Sequence, residues 1–85
     1  MITAAQCRAA RGLLNWSQQT LATQARVGVA TIQNFEREVA APRPATLIVI
    51  VQAFEREGIE FTNGDAPGVR LHVKAPPKPK KKPPR

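Results

Sequence analysis

Two short helical segments follow one another in the middle of the chain, with only a tight turn between them. The first begins at Ser17, a good N-cap residue, and ends near Arg26. Val27 and Gly28 then turn the chain, and the second segment extends to Arg37. Helices this short are not stable alone, so the sequence must supply further elements that cover them.

A longer helix is predicted on each side of this pair. Thr3 is followed three residues later by a glutamine, which is the spacing of a capping box, and the pattern beyond it predicts a helix over Ala4–Leu14. Pro44 is well placed to open another helix, which ends at Gly58. Its unbroken apolar run Leu47–Val51 would also suit a strand, but the length of the segment and its C-terminal glycine favour a helix.

After Gly58 the apolar residues recur at every second position. Ile59 and Phe61 enclose a polar residue, and a second alternating run begins at Val69 beyond a stretch of turn residues. Two short strands are therefore predicted. An isolated hairpin is marginal in water, so it either packs on the last helix or pairs its edge with another chain. The predicted fold is mainly α, with four to five helices and a short C-terminal β-hairpin.

The helix that begins at Pro44 is apolar nearly all round, and burial of its second face suggests a partner subunit. We therefore expect a homodimer. The residues expected at the subunit interface lie on this helix and on the hairpin: Ile48, Val51, Phe61, Val69, Leu71 and Val73.

The positive charge of the chain is concentrated at its C-terminal end. The formal charge is +7, but residues 74–85 hold six basic residues and no acids, so residues 1–73, with seven basic and six acidic residues, carry only about +1. Five of the eight prolines also lie in this tail, and its composition predicts disorder. It is either a solubilising segment or an arm that follows nucleic-acid phosphates. The lysines that would make such contacts are Lys78, Lys80, Lys81 and Lys82.

The sequence excludes several classes of protein. One cysteine, Cys7, cannot make an internal disulfide, and together with one histidine it cannot build a zinc site. No apolar run reaches the roughly 18 residues that a membrane span needs. Neither paired catalytic carboxylates nor an activated nucleophile is recognisable, so we expect no enzyme, no cofactor, no metal and no small-molecule effector. The lack of disulfides makes the cytoplasm the expected compartment.

The segment from Gly28 to Arg37 has an informative outer face. Ile32 and Phe35 form its apolar side. The opposite side is polar but almost uncharged, and consists of Ala30, Gln33, Asn34 and Arg37. A solvated helix face usually carries Lys and Glu, whereas small and amide side chains suit the edges of DNA bases. This composition favours a contact with nucleic acid.

The stretch SQQTLATQARVGVATIQNFE, from Ser17 to Glu36, resembles the phage-repressor and Cro-like helix-turn-helix family, also called the xenobiotic-response-element family. The typical pattern of that family is S-Q-x-x-L-A-x-x-A-G-V-S-x-x-T-I-x-x-x-E. Nine positions match without a gap: Ser17, Gln18, Leu21, Ala22, Ala25, Val27, Thr31, Ile32 and Glu36. The later helix of the family is matched by Pro42, Thr46, Leu47 and Ile50, so that the resemblance covers residues 3 to about 57.

The resemblance implies a lambda-repressor-like DNA-binding domain over residues 1–58, followed by a β extension over 59–73 and the tail over 74–85. By position, the residues that face the major groove are Val29, Ala30, Gln33 and Asn34. Those that contact phosphates are Gln18, Arg26, Thr31, Arg37 and Arg43. Arg11 and Glu36 resemble the structural ion pair of the family, between the first helix and the end of the third.

Three positions depart from the family pattern. Arg26 stands where Gly is favoured, and Gly28 replaces the usual Ser or Thr cap. Val29 stands where a polar or basic residue is common, which reduces hydrogen-bonded base readout. Because Gln33 or Asn34 can bind adenine through two hydrogen bonds, we expect half-sites that contain A·T pairs.

The expected function is that of a sequence-specific transcriptional regulator. In this interpretation the chain is a dimeric autoregulatory repressor that reads a palindromic operator in double-stranded DNA, in the cytoplasm and associated with the nucleoid. The alternative is a protein-interaction module, such as an antitoxin or a coactivator-type adaptor, in which the acidic C-terminal half or the β extension binds a protein partner. Co-purification of a stoichiometric partner would favour the alternative.

Overall fold

The computed structural model of the chain describes residues 2–63 and 65–72. The predicted interface residue Val73 and the tail over 74–85 lie outside the described residues. The described part contains four helices, α1 (Ala4–Leu14), α2 (Gln18–Ala25), α3 (Val29–Glu36) and α4 (Pro44–Glu55), and an antiparallel hairpin of β1 (Ile59–Thr62) and β2 (Gly68–Leu71). The prediction of a mainly helical fold that ends in a short hairpin is confirmed. None of these helices has the length and apolar composition to cross a bilayer.

Local caps explain where the helices begin. The Thr3 hydroxyl accepts from the Gln6 backbone N–H at 3.1 Å, and the Gln6 side chain accepts from the Thr3 N–H at 2.8 Å, so the predicted capping box is present. The Ser17 hydroxyl accepts from the Thr20 N–H at 3.0 Å at the start of α2. Pro44 is the first residue of α4, where its missing N–H needs no partner. Three of the four helices therefore begin at residues whose own chemistry favours a helix start.

The core lies between the four helices and is built mainly from aliphatic side chains. Its largest fully buried members are Phe54, Leu21, Ile32, Ile50 and Cys7. The Trp16 ring stacks on Phe54, with the ring centroids 5.8 Å apart. The apolar run Leu47–Val51 lies within α4, so the prediction of a helix rather than a strand is confirmed.

The hairpin covers one side of this core. Phe61 meets Phe54 edge to face, with the ring centroids 5.8 Å apart. The buried amide of Gln6 donates to the carbonyl oxygens of Thr62 and Gly68, at 2.9 and 3.0 Å, and ties both strands to α1. The expected packing of the hairpin on the rest of its own chain is observed.

Candidate nucleic-acid interface

A tight turn after α2 sets the angle between α2 and α3. Arg26 has a φ of 60°, which lies in the left-handed region. The Val27 N–H donates to the Ala22 carbonyl at 3.0 Å, and the Arg26 N–H donates to the Thr23 carbonyl at 3.3 Å. These are the two bonds of a Schellman motif, which ends α2 and redirects the chain. Arg26 therefore has the left-handed backbone conformation that favours glycine at this position of the turn.

Helix α3 buries one side and exposes the other. Ile32, Phe35 and Glu36 are buried. Ala30 and Gln33, on the opposite side, are exposed. The accessible middle of α3 therefore presents a methyl group and an amide, and no charge.

The other two residues assigned to the major groove are less accessible. Val29 is half-buried and packs against the core, so only part of its side chain faces outwards. Asn34 is also half-buried, and its backbone carbonyl accepts from the Val39 N–H at 2.9 Å. Gln33 and Ala30 are therefore the most accessible of the four residues.

A shallow cleft between α3 and the start of α4 brings three of the predicted DNA contacts together. Thr31, Asn34 and Arg43 line this cleft, which has a volume of about 380 Å³. Arg43 is exposed and immediately precedes α4. Arg26 is not part of the cleft, because it lines a separate depression beside α2 and α4. Of the predicted phosphate contacts, Thr31 and Arg43 line this cleft and Arg26 lines the other depression.

A buried network joins α1, α2 and α3. Arg11 donates to both carboxylate oxygens of Glu36, from Nε at 2.7 Å and from Nη2 at 2.6 Å. The Cys7 thiol and the Gln18 amide each donate to the same carboxylate at 3.1 Å. Burial alone would raise the pKa of Glu36, but the hydrogen bonds from its three neighbours hold that pKa below its ordinary value. Glu36 is therefore ionised at neutral pH, although only 3% of it is exposed.

Several of these contacts are missed by sequence reasoning. The family resemblance assigns Gln18 to a phosphate, whereas its amide contacts Glu36 in the structure. Cys7 is fully buried, and burial together with the Glu36 carboxylate raises the pKa of its thiol, which stays protonated and donates. Arg8 donates to the Glu36 backbone carbonyl. These bonds join residues 18 to 29 positions apart. The one signal in the sequence is that Gln18 and Glu36 both match the family pattern.

The residues predicted at a subunit interface have two kinds of surroundings. Val51, Phe61, Val69 and Leu71 are half-buried and pack against the core of their own chain. Ile48, by contrast, is 45% exposed. Part of the apolar surface that suggested a partner subunit is thus covered within the chain.

The polar side chains of the hairpin pair with one another. Glu60 lies 2.5 Å from the His72 ring nitrogen Nε2 and accepts from Arg70 at 3.4 Å, on an exposed surface. The hydrogen bond from His72, followed by the charge of Arg70, lowers the pKa of Glu60. Across the described ranges, no three His, Cys, Asp or Glu side chains come together in a way that could hold a metal ion.

Comparison with known families agrees with this arrangement. A family model described as helix-turn-helix, of the Cro/C1 type, matches residues 8–61. The match covers more than half of the 85 residues and includes α2, the turn and α3. The chain therefore belongs to the Cro/C1-type helix-turn-helix family, and it is a regulator of transcription that binds double-stranded DNA. None of the curated proteins matches the chain.

Proposed function

We propose that this protein is an autoregulatory repressor that binds a palindromic operator as a homodimer, with α3 in the major groove. The observation that carries the proposal is the outer face of α3, where Ala30 and Gln33 are exposed and uncharged. A helix face that meets only water usually carries Lys and Glu. Methyl and amide groups match instead the methyl groups, donors and acceptors on the edges of base pairs.

The proposed base contacts favour A·T pairs. Gln33 and Asn34 each carry an amide that can bind adenine through two hydrogen bonds, and Ala30 and the outward part of Val29 can contact a thymine methyl. Selection of binding sites from randomised DNA tests this proposal. We expect A·T pairs under α3, and invariant G·C pairs at those positions would contradict it.

The proposed phosphate contacts are three arginines and two uncharged polar residues. Arg26, Arg37 and Arg43 are exposed and charged, and Thr31 and Gln18 add hydrogen-bond donors. Residues 1–73 carry only about +1, so a large part of the nonspecific attraction is assigned to the tail. The tail residues proposed for this role are Lys78, Lys80, Lys81 and Lys82.

A two-fold dimer would place two copies of α3 about 34 Å apart, one turn of the duplex. In this proposal residues 1–58 bind DNA, and the β extension over 59–73 contributes to the subunit interface. Ile48 supports the interface best, because it is 45% exposed. The other proposed members are Val51, Phe61, Val69, Leu71 and Val73. The proposed site of action is the cytoplasm, on the nucleoid.

Binding to the DNA upstream of its own gene tests the proposed function. Fluorescence anisotropy compares that duplex with a scrambled one across a salt series, and we expect a preference of about 10³-fold or more for the upstream DNA. Sedimentation of the free protein should give twice the 9.3 kDa mass of the chain. Equal and steeply salt-dependent binding to both duplexes would contradict a specific autoregulator. A search for a stoichiometric protein partner would then take priority.

A further inference from the structure

We propose that Glu36 is a positioning residue for the DNA contact of Gln18, an inference that rests on the proposed function. Gln18 Nε2 donates to Glu36 Oε1 at 3.1 Å, from the first residue of α2 to the last residue of α3. A carboxylate only accepts hydrogen bonds, so the amide must turn its nitrogen towards Glu36. The second N–H of that nitrogen then remains for an oxygen of a DNA phosphate, which is also only an acceptor.

Glu36 is held firmly enough to impose this orientation. It is 3% exposed, and Arg11 contacts both of its oxygens at 2.6 and 2.7 Å. The Cys7 thiol adds a further bond to Oε2 at 3.1 Å. Rotation of the carboxylate would break bonds to α1 as well as the bond to Gln18. The carboxylate therefore works as a fixed acceptor under the start of α2.

The tether affects the affinity of the contact through preorganisation. A free glutamine side chain samples many rotamers, and this freedom is lost when it binds a phosphate. Gln18 is already half-buried and bonded before DNA arrives. The exposed Gln19, one position later, reaches only Thr23 of its own helix, at 3.4 Å. Of these two adjacent glutamines, Gln18 is the one fixed by another helix.

A purely electrostatic role of Glu36 and a positioning role predict opposite effects on DNA affinity when its charge is removed. This difference makes the proposal testable. A negative group near DNA repels phosphates, so its neutralisation should strengthen binding if charge were its only role. If Glu36 positions Gln18, then Glu36→Gln should weaken DNA binding. The amide introduced by the substitution can donate an N–H to the Gln18 side chain. The Gln18 amide can then turn its oxygen towards residue 36, and its N–H is no longer held in position for the phosphate. Glu38→Gln is the matched control, since Glu38 is an exposed acid two residues away.

The experiment is a double-mutant cycle on the full chain, measured by anisotropy with the upstream duplex at one salt concentration. We expect Gln18→Ala to weaken binding about fivefold, as for the loss of one hydrogen bond. Glu36→Gln should weaken binding by a similar factor, and the double variant should bind no worse than Gln18→Ala alone. Glu38→Gln should bind as well as wild type or better. The proposal would be overturned if Glu36→Gln weakened DNA binding by the same factor in the wild-type chain and in the Gln18→Ala variant. It would also be overturned if Glu36→Gln bound DNA more tightly than wild type.

If circular dichroism shows that Glu36→Gln does not fold, a second variant still tests the proposal. Gln18→Asn leaves the Arg11–Glu36 pair intact and shortens the side chain by one methylene, so the amide cannot reach Glu36 and a phosphate together. We expect it to bind as weakly as Gln18→Ala, and wild-type affinity would overturn the proposal. If the wild-type chain prefers its own DNA but Gln18→Ala binds equally well, this inference fails alone. If the wild-type chain shows no preference, the proposed function itself fails.

Discussion

Arg11 and Glu36 meet at 2.6 Å with 19% and 2% of their side chains exposed, so either charge left alone would be largely cut off from water. Arg11→Met removes the cation and keeps much of the side-chain volume. We expect it to lower the free energy of unfolding by about 3 kcal/mol, measured by urea denaturation. Arg70→Met is the control, because Arg70 pairs with Glu60 at 3.4 Å on the surface, and a change below about 1 kcal/mol is expected there. Equal losses would contradict a structural role for the buried pair.

The buried pair also makes stability depend on pH. The folded-state pKa of Glu36 lies below its ordinary value of 4.5, so its contribution to stability is present above that value and is lost as the pH falls through the folded pKa. In Arg11→Met the strong contact with the guanidinium is gone while burial remains. The folded pKa therefore rises, and the loss of stability in acid becomes smaller. Urea denaturation from about pH 3 to pH 7 tests this, and parallel profiles for the two proteins would contradict it.

At the scale of the helices, three of the four end beside a residue in the left-handed region, and none of these residues is glycine. Asn15, Arg26 and Glu38 have φ values of 57°, 60° and 60°. The N–H groups of Glu38 and Val39 bond to the carbonyls of Phe35 and Asn34 at 3.0 and 2.9 Å, so α3 ends on the same motif as α2. A side chain in this conformation costs roughly 1–2 kcal/mol, although asparagine tolerates it. Strain is therefore stored at Arg26 and Glu38.

Glycine at these two positions should stabilise the fold. We expect Arg26→Gly and Glu38→Gly each to raise the free energy of unfolding by about 0.5–1 kcal/mol, and Asn15→Gly to raise it by less. Arg26→Gly also removes a proposed phosphate contact, so its affinity for DNA should fall while its stability rises. Arg26→Lys keeps both the charge and the strain, and it should resemble wild type in both measurements. Lower stability of Glu38→Gly would contradict a strained end of α3.

The elements were predictable where their signals are local. Thr3, Ser17 and Pro44 act within one turn of the helix that they begin, so the sequence alone identifies those starts. The environment of Val29 is different: the family pattern assigns it to the major groove, but the way α3 packs leaves it half-buried against the core. The contact between Gln18 and Glu36 likewise depends on the angle at which two helices cross. The hydrophobic periodicity of the sequence does not predict that angle.

At the scale of the whole molecule, the same limit applies to the hairpin. Alternating residues predict two strands, but not whether their apolar face meets the chain's own core or a partner. Phe61 and Leu71 pack against the core, and Gln6 ties the hairpin to α1. The number of apolar residues left for a partner can therefore be judged only after the tertiary packing is known. Net charge, by contrast, is additive and can be read directly from the sequence.

The charge distribution predicts that the tail governs the salt dependence of DNA binding. Residues 74–85 hold six basic residues, whereas residues 1–73 carry about +1. Replacing Lys78, Lys80, Lys81 and Lys82 with Gln keeps the length and the prolines of the tail. The slope of log K against log salt should become shallower by about 0.9 for each phosphate that these lysines contact. The preference for upstream over scrambled DNA should not change, because the proposed base contacts lie on α3. An unchanged slope would leave the tail a solubilising role, and a changed preference would show that it takes part in sequence recognition.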